Sequence, residues 1–326
     1  PGGTSHIIYN LKEQKREQEY LSLCGTIRNC SGGVTPWGSW LTCEETVMDK
    51  SDGLSKSHGY IFEVPASAKG LIKPEPLYDM GRFNHEAAAI DPQTGIVYLT
   101  EDRGDSLFYR FIPHHRDKLN KGGTLQAMVI KNQPQFDSRN WDSPAMPLHS
   151  DLLVEWITLT DPKSPNDDLR KQGYKKGAAL FARGEGIHWG KNELYFCCTN
   201  GGKKQLGQVM KYTPSKNEGT ELEQNEPGKI QLFVESTNES LYNFGDNLTV
   251  APNGHLIVCE DQYTDTVNNH LRGVTPKGEV YNFAKLHAQT ELAGACFSPD
   301  GQTLFVNVYI PTKTLAITGP WDSFKL

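Results

Sequence analysis

A short pattern of turn, strand and acidic end recurs along the chain, and it constrains the fold more than any other feature. A turn that contains Pro and Gly precedes an apolar strand in four copies, and three of these end in a pair of acids: Glu44-Glu45, Glu101-Asp102 and Glu260-Asp261. Two more copies, at residues 195–200 and 304–307, keep the frame with neutral ends. A unit repeated in this way indicates a repeat architecture, and acids at equivalent places in the repeats indicate a site.

Composition and charge narrow the class of protein. A chain of 326 residues that is 37% hydrophobic can bury a large core. It has no apolar run of about 18 residues, so we expect no membrane partner. A net charge of -6, with Lys and Arg scattered, argues against a nucleic-acid partner, which would need a basic face.

The segments between the copies complete four-stranded units. Third strands are predicted at 6–10, 60–64, 107–112, 208–212, 271–274 and 314–317, and fourth strands at 20–24, 76–80, 153–159, 230–235 and 279–284. This pattern predicts an all-β fold, a β-propeller. Six third strands against five pairs of inner and second strands predict six blades, the first incomplete, as if the chain began in mid-blade. Either an upstream segment or a distant strand would complete the ring.

Domain organisation follows from the same pattern. We expect residues 1–326 to form a single propeller domain. Residues 114–182 are rich in Lys, Asn, Asp and Pro and carry no clear repeat. They are predicted to form a long irregular insertion that could cover the propeller as a subdomain.

Acids also open the inner strands. Glu86, Glu185 and Asp246 stand at equivalent starts, and Asn29-Cys30-Ser31 has the same place in the first copy. Inner strands surround the channel of a propeller, so these residues should converge with the acidic strand ends. Crowded carboxylates favour protonation or bound cations, and oxygen ligands suit calcium or magnesium. Cys43, next to Glu44, would add a thiolate, which suits a transition metal; we expect a mixed metal site.

Five segments together resemble the PhoX-type alkaline phosphatases, and among them the shorter members: residues 29–45, 81–87, 105–111, 183–186 and 246–254. The resemblance runs from the N-terminus to about Pro320. It implies a six-bladed propeller that hydrolyses phosphomonoesters with iron (Fe³⁺) and calcium at its axis. The family is usually exported by the twin-arginine route, so a periplasmic or secreted location is expected, although this chain carries no signal segment. Family members usually have a further segment upstream.

The resemblance also implies roles for residues. Cys43 would bind iron, Glu86, Glu185 and an acid of the pair at 260–261 would bind iron or calcium, and Arg183 would bind phosphate. Side chains alternate along a regular strand, so Glu44 and Glu45 should not both face the site, and both remain candidates. The expected metal ligands are Cys43, Glu44, Glu45, Glu86, Glu185, Asp246, Glu260 and Asp261. Arg183 and Asn84 are expected to bind substrate, with Arg183 and Cys43 as catalytic residues.

The expected reaction follows from charge. A channel lined with carboxylates would reject a phosphate dianion unless metal ions reversed the local field. A metal-bound oxygen would then act as nucleophile while the planar guanidinium of Arg183 clamps two phosphoryl oxygens. The expected partner is a small phosphomonoester, and the expected oligomeric state is a monomer. Two alternatives stay open: a calcium-dependent, lactonase-like propeller hydrolase, which needs no axial thiolate, and a non-catalytic metal-binding propeller.

Overall fold

A computed structural model of the chain describes residues 2–262 and 269–321. Its elements are antiparallel strands almost throughout, with one α-helix, α1 (Leu169–Lys175), and four short 3-10 helices at Lys50–Asp52, Tyr78–Met80, Leu119–Lys121 and Glu221–Asn225. In the part of the chain so described, no helix is long and apolar enough to cross a membrane.

Two compact units share the chain. Unit 1 comprises Pro1–Phe136, Leu153–Leu180 and Ser215–Gly228, and unit 2 comprises Asp137–Leu152, Phe181–Pro214 and Lys229–Leu326. Each unit has its own buried apolar clusters. Leu41, Leu99 and Phe111 belong to one in unit 1, and Val209, Val258 and Phe233 belong to one in unit 2.

Unit 1 contains the first ten strands in three antiparallel groups. Strands that follow one another in sequence pair within each group. The groups are β1 (Gly2–Asn10) with β2 (Lys15–Thr26); β3 (Asn29–Val34), β4 (Ser39–Glu44) and β5 (Ile61–Pro65); and β6 (His85–Ile90), β7 (Val97–Glu101), β8 (Tyr109–Pro113), β9 (Gly123–Ile130) and β10 (Asp151–Thr158).

Unit 2 contains eleven further strands, again paired in sequence order. The groups are β11 (Gly184–Trp189), β12 (Leu194–Cys198), β13 (Gln208–Thr213) and β14 (Lys229–Glu235); β15 (Gly245–Val250), β16 (Leu256–Glu260), β17 (His270–Val274) and β18 (Val280–Lys285); and β19 (Leu292–Phe297), β20 (Thr303–Val308) and β21 (Lys313–Thr318). A four-stranded antiparallel meander of this kind is the blade of a propeller.

Most predicted strands are present, but two of the predicted fourth strands are wrong. Residues 76–80 form a single bridge from Phe62 to Pro76 and then a 3-10 helix, because a proline cannot donate to a ladder. The fourth strand after β8 is β9, and residues 153–158 of the predicted strand lie in β10, a fifth strand outside it. The predicted insertion at 114–182 is therefore not irregular, since it holds β9, β10 and α1.

Each of the five inner strands has a break in register near its start. The breaks lie between Asn29 and Gly32 in β3, His85 and Ala88 in β6, Gly184 and Ile187 in β11, Gly245 and Leu248 in β15, and Ala293 and Cys296 in β19. An extra residue at a bulge bends the strand and re-aims a side chain. The first residues inside the five breaks are Cys30, Glu86, Glu185, Asp246 and Gly294.

Glycines in the inner strands allow neighbouring strands to come close. A Cβ atom on Gly33 of β3 would overlap the carbonyl oxygen of Ala88 in β6. A Cβ atom on Gly186 of β11 would lie 2.6 Å from the Cα atom of Asn247 in β15. Only a residue without a side chain fits such an approach, so these glycines bring the bulged strand starts of each unit together.

Candidate metal and anion site

In unit 1, a thiol and three carboxyl groups lie together at the strand starts and ends; Cys30, Glu45, Glu86 and Asp102 are here named the unit 1 cluster. The thiol of Cys30 donates a hydrogen bond of 3.3 Å to Glu86 Oε1. Cys30, Glu45 and Glu86 each offer one ligand atom, and these atoms lie within 4.8 Å of one another. Burial and then the neighbouring Asp102 raise the pKa of Glu45, which is hydrogen-bonded to Asp102. These groups are crowded in a way that a bound cation would relieve.

In unit 2, a second group combines four carboxyl groups with an arginine; Arg183, Glu185, Asp246, Asp261 and Glu291 are here named the unit 2 cluster. Carboxylate oxygens of Glu185 and Asp246 lie within 4.8 Å of each other. Burial, followed by the charges of Glu291 and Asp246, raises the pKa of Asp261 to about 8. Asp261 and Glu291 share a hydrogen bond, which requires a proton on one of them.

The first acid of each predicted pair has a different role from the second. Both oxygens of Glu44 accept hydrogen bonds from the loops around it: Ile27 N donates to Oε1 at 3.0 Å, and Gly59 N and Tyr60 N donate to Oε2 at 2.8 and 3.2 Å. His58 Nδ1 lies 2.6 Å from Oε1. The carboxylate of Glu44 therefore connects the end of β4 to two loops.

Glu260 repeats this arrangement in unit 2. Its Oε1 accepts hydrogen bonds from Asn243 N at 3.0 Å and Arg272 Nε at 2.6 Å, and its Oε2 accepts one from His270 N at 3.0 Å. Both oxygens of Glu44 and of Glu260 thus accept hydrogen bonds from the protein, and the role of these two acids as metal ligands stays a prediction. Because side chains alternate along a strand, the first acid turns inward to the blade while Glu45 and Asp261 turn to the clusters.

Glu101 stands at the same place at the end of β7. It is fully buried, and its Oε2 accepts hydrogen bonds from the Tyr109 hydroxyl at 2.7 Å and Leu107 N at 3.4 Å. Burial raises the pKa of Glu101 to about 7, partly offset by the Tyr109 hydrogen bond and by Arg170, 3.9 Å away. The recurring acid at the strand end thus belongs mainly to the fold.

The two cysteines of the first copy lie in different surroundings. Cys43 is fully buried within an apolar cluster that includes Leu41 and Ile61, and burial, followed by Glu86, raises the pKa of its thiol. Cys30 is exposed and lies at the bulge of β3. Glu86 occupies the equivalent position at the bulge of β6. Cys30 was not among the predicted metal ligands, although Cys30 and Glu86 stand at equivalent strand starts in the sequence.

Glu291 was also missed. It directly precedes β19, whose first residue, Leu292, is neutral. The carbonyl oxygen of Glu291 accepts a hydrogen bond from Tyr309 N, at the far end of β20. A search for acids one residue before each inner strand would have found it.

The predicted substrate-binding residues occupy equivalent backbone positions in two repeats. The carbonyl oxygen of Asn84 accepts a hydrogen bond from Asp102 N, and that of Arg183 accepts one from Thr199 N. Arg183 has a φ of 52°, a left-handed conformation, and its Nη2 donates to Glu185 Oε1 at 3.0 Å. Its side chain is 38% exposed, so the guanidinium reaches solvent beside the acids.

Comparison with known proteins concerns the family and the fold of the chain. The family model described as alkaline phosphatase PhoX matches residues 3–312. Among solved structures, Pseudomonas fluorescens PhoX in complex with vanadate, a transition state analogue, is 21% identical; the match covers 94% of this chain and 70% of that one with a TM-score of 0.68. No match was found among curated protein sequences.

Other matches are weaker. A putative 6-phosphogluconolactonase from Bacteroides uniformis is 11% identical, with 97% and 76% of the two chains covered and a TM-score of 0.46. The gluconolactonase XC5397 from Xanthomonas campestris is 12% identical, with 86% and 69% covered and a TM-score of 0.39. The match to P. fluorescens PhoX confirms the all-β propeller fold. Since the family model spans nearly the whole chain, this protein belongs to the PhoX family of alkaline phosphatases.

Proposed function

We propose that the protein is a metal-dependent phosphomonoesterase that acts on small phosphate esters. Family membership supports a phosphoric monoester hydrolase. The observation that carries the metal-dependent part is the group formed by Cys30, Glu45 and Glu86, whose ligand atoms lie within 4.8 Å of one another. A thiol among carboxyl groups has little chemical use in the protonated state, whereas a metal would hold it as a thiolate.

The donor atoms of the two clusters suit different ions. The unit 1 cluster combines a thiol with carboxylates, and this mixed set of donors suits iron. Cys30, Glu45 and Glu86 would hold the iron ion. The unit 2 cluster offers oxygen donors alone, from Glu185, Asp246 and Asp261, which suit calcium. Bound ions would polarise the phosphoryl group and lower the pKa of a nearby water.

Arg183 and Asn84 provide the substrate contacts in this proposal. The guanidinium of Arg183 donates to Glu185 and is partly exposed, and a planar fork of donors matches two oxygens of a phosphoryl group. Asn84 adds an amide at the equivalent position of another repeat. The resemblance to exported family members supports a periplasmic or secreted location, and we propose that the protein acts there as a monomer.

The test is hydrolysis of p-nitrophenyl phosphate by protein loaded with iron and calcium, measured beside hydrolysis of a lactone. We expect phosphate release and no lactone opening; the reverse result would contradict the proposal. Arg183→Ala should raise KM and weaken inhibition by inorganic phosphate about tenfold or more while metal content stays unchanged. Lys277→Ala is the matched control, because it removes an exposed positive charge of unit 2 that touches neither acid cluster.

A further inference from the structure

A second arginine, Arg103, lies beside the unit 1 cluster, directly after Asp102. Its Nη2 donates to Asn84 Oδ1 at 3.1 Å and to Asp167 Oδ2 at 3.2 Å. The side chain is 38% exposed. Among the described residues both of these bonds use the same nitrogen, so most of the donors of the guanidinium are left for another acceptor.

The repeats relate Arg103 to Arg183. Asn84 and Arg183 hold the same backbone position, since each carbonyl oxygen accepts the N–H of the residue that follows the strand end. At this position the repeat of unit 2 carries the arginine itself. The repeat of unit 1 carries Asn84, and the guanidinium of Arg103 is hydrogen-bonded to the Asn84 side chain. Each repeat therefore presents a half-exposed guanidinium at the same place in its blade.

One carboxylate, that of Asp167, already forms an ion pair with the Arg103 guanidinium. Asp167 belongs to the loop between β10 and α1 and has a φ of 51°. Its other oxygen, Oδ1, accepts a hydrogen bond from Arg170 Nη1 at 3.2 Å, and Arg170 also donates to Asp105 at 2.9 Å. Asp167 can therefore leave Arg103 and keep a cationic partner, which makes it a replaceable anion at this position.

Charge balance favours an external anion at Arg103. The unit 1 cluster holds three carboxyl groups, and the arginine that pairs with one of them, Arg28, is 65% exposed and lies 3.2 Å from Glu45. A phosphoryl dianion approaching this cluster needs a cation that is not neutralised by a cluster acid. Arg103 meets this requirement, because its carboxylate partner comes from outside the cluster.

We propose that Arg103 is a second phosphoryl-binding residue and that Asp167 occupies its guanidinium until the ester or inorganic phosphate replaces it. This inference rests on the proposed function. It assigns to the loop that carries Asp167 a role in tuning the affinity for anions.

The experiment measures the dissociation constant of inorganic phosphate by titration calorimetry, together with KM for p-nitrophenyl phosphate, on the metal-loaded protein. Arg103→Ala should weaken both by about tenfold or more, and Arg103→Lys should fall between this variant and the wild type because it keeps the charge but loses the fork. Asp167→Asn should act in the opposite direction and tighten phosphate binding by up to about fivefold, the value of a partly exposed ion pair. Arg16→Ala is the control, since Arg16 forms an exposed pair with Glu19 on the surface of unit 1.

The outcomes separate the two proposals. If the wild type binds phosphate and hydrolyses the ester but Arg103→Ala leaves both constants unchanged, the inference about Arg103 is wrong and the proposed function stands. Weaker phosphate binding in Asp167→Asn would overturn it as well, since Asp167 would then only support the loop. A wild type that neither binds phosphate nor hydrolyses the ester would overturn both. If Arg103→Ala lowers the melting temperature or metal content, Arg103→Lys and Asp167→Asn decide the question.

Discussion

Cys30 and Cys43 show how position within one blade decides the chemistry of a thiol. They lie on paired strands, β3 and β4, and both are close enough to Glu86 to sense it. Cys43 is enclosed by apolar side chains, so forming its thiolate would place a charge in a low-dielectric core. Cys30 is exposed at a bulge, where a thiolate and its ion remain accessible. The prediction that Cys43 binds iron stays a prediction, and the geometry favours Cys30.

Substitution of each cysteine by serine distinguishes the two thiols. We expect Cys30→Ser to remove the visible charge-transfer band of a ferric thiolate and to lower the iron content. Cys43→Ser should keep the band and lower the free energy of unfolding by about 1 to 3 kcal/mol, since it places a hydroxyl in an apolar core. Elemental analysis and the visible spectrum of the purified protein measure the iron content and the band, and urea unfolding measures the change in stability. Loss of the band in Cys43→Ser alone would restore the original assignment, and colourless, iron-free, active protein would refute iron altogether.

Glu101 predicts a pH dependence of stability in the metal-free protein. Burial raises the pKa of this carboxyl from 4.5 to about 7 in the folded state, so between these values the folded protein holds a proton that the unfolded chain has lost. Stability should therefore fall as pH rises from about 4.5 to 7, by at most about 3 kcal/mol. Urea unfolding across this range should show a smaller fall for Glu101→Gln than for the wild type, with Glu279→Gln as an exposed control. Equal slopes in all three proteins would contradict the assignment.

At the scale of the element, the alternation of side chains along a strand separates two acids that are adjacent in sequence. The first acid of each pair is buried at a strand end and accepts hydrogen bonds from neighbouring loops and strands, as Glu44 and Glu260 do. The second acid points to the open end of the blade, as Glu45 and Asp261 do. The inner strand adds a bulge residue beside it. One blade thus provides two candidate ligands, one from each strand.

This difference between the first and the second acid predicts that a substitution of Glu260 lowers stability rather than metal content. Glu260→Ala leaves the buried guanidinium of Arg272 without its carboxylate partner, and we expect a loss of about 3 to 5 kcal/mol in the free energy of unfolding. The metal content of the protein that remains folded should not change. Urea unfolding and elemental analysis measure these quantities, and Glu279→Ala provides an exposed control. A variant of wild-type stability that lacks a metal would instead support Glu260 as a ligand.

At the scale of the whole molecule, the net charge and the local charge of the clusters both oppose the binding of an anionic ligand. The chain carries a charge of -6, and each unit concentrates carboxyl groups at the starts and ends of its strands. Such a protein repels phosphate esters unless cations are bound. Cations bound there would also stabilise the fold, because they would bind the folded state and relieve repulsion within each cluster.

Removal of metal should therefore lower thermal stability. Dialysis against a chelator should reduce the melting temperature by several degrees, the effect of losing about 3 kcal/mol of ligand binding, and added calcium should restore part of it. Glu86→Gln should reduce the difference between metal-loaded and chelated protein, since it removes a ligand of the unit 1 cluster. Scanning calorimetry makes the comparison. Identical melting temperatures with and without chelator would contradict bound structural cations.

The sequence by itself determined the repeat, the all-β propeller fold and the family, because turn residues and alternating strands are local signals and five motifs match one family. It also determined that Glu86, Glu185 and Asp246 stand at equivalent strand starts. Only the tertiary structure decided which residue of each adjacent pair faces a cluster, because that depends on bulges and on hydrogen-bond partners far away in sequence, such as His58 for Glu44. It showed that Cys30 is exposed and hydrogen-bonded to Glu86 whereas Cys43 is buried among apolar side chains, and it identified Glu291 and β9. At the recurring acidic strand end, the first acid is buried and hydrogen-bonded, and the proposed site begins one residue further on.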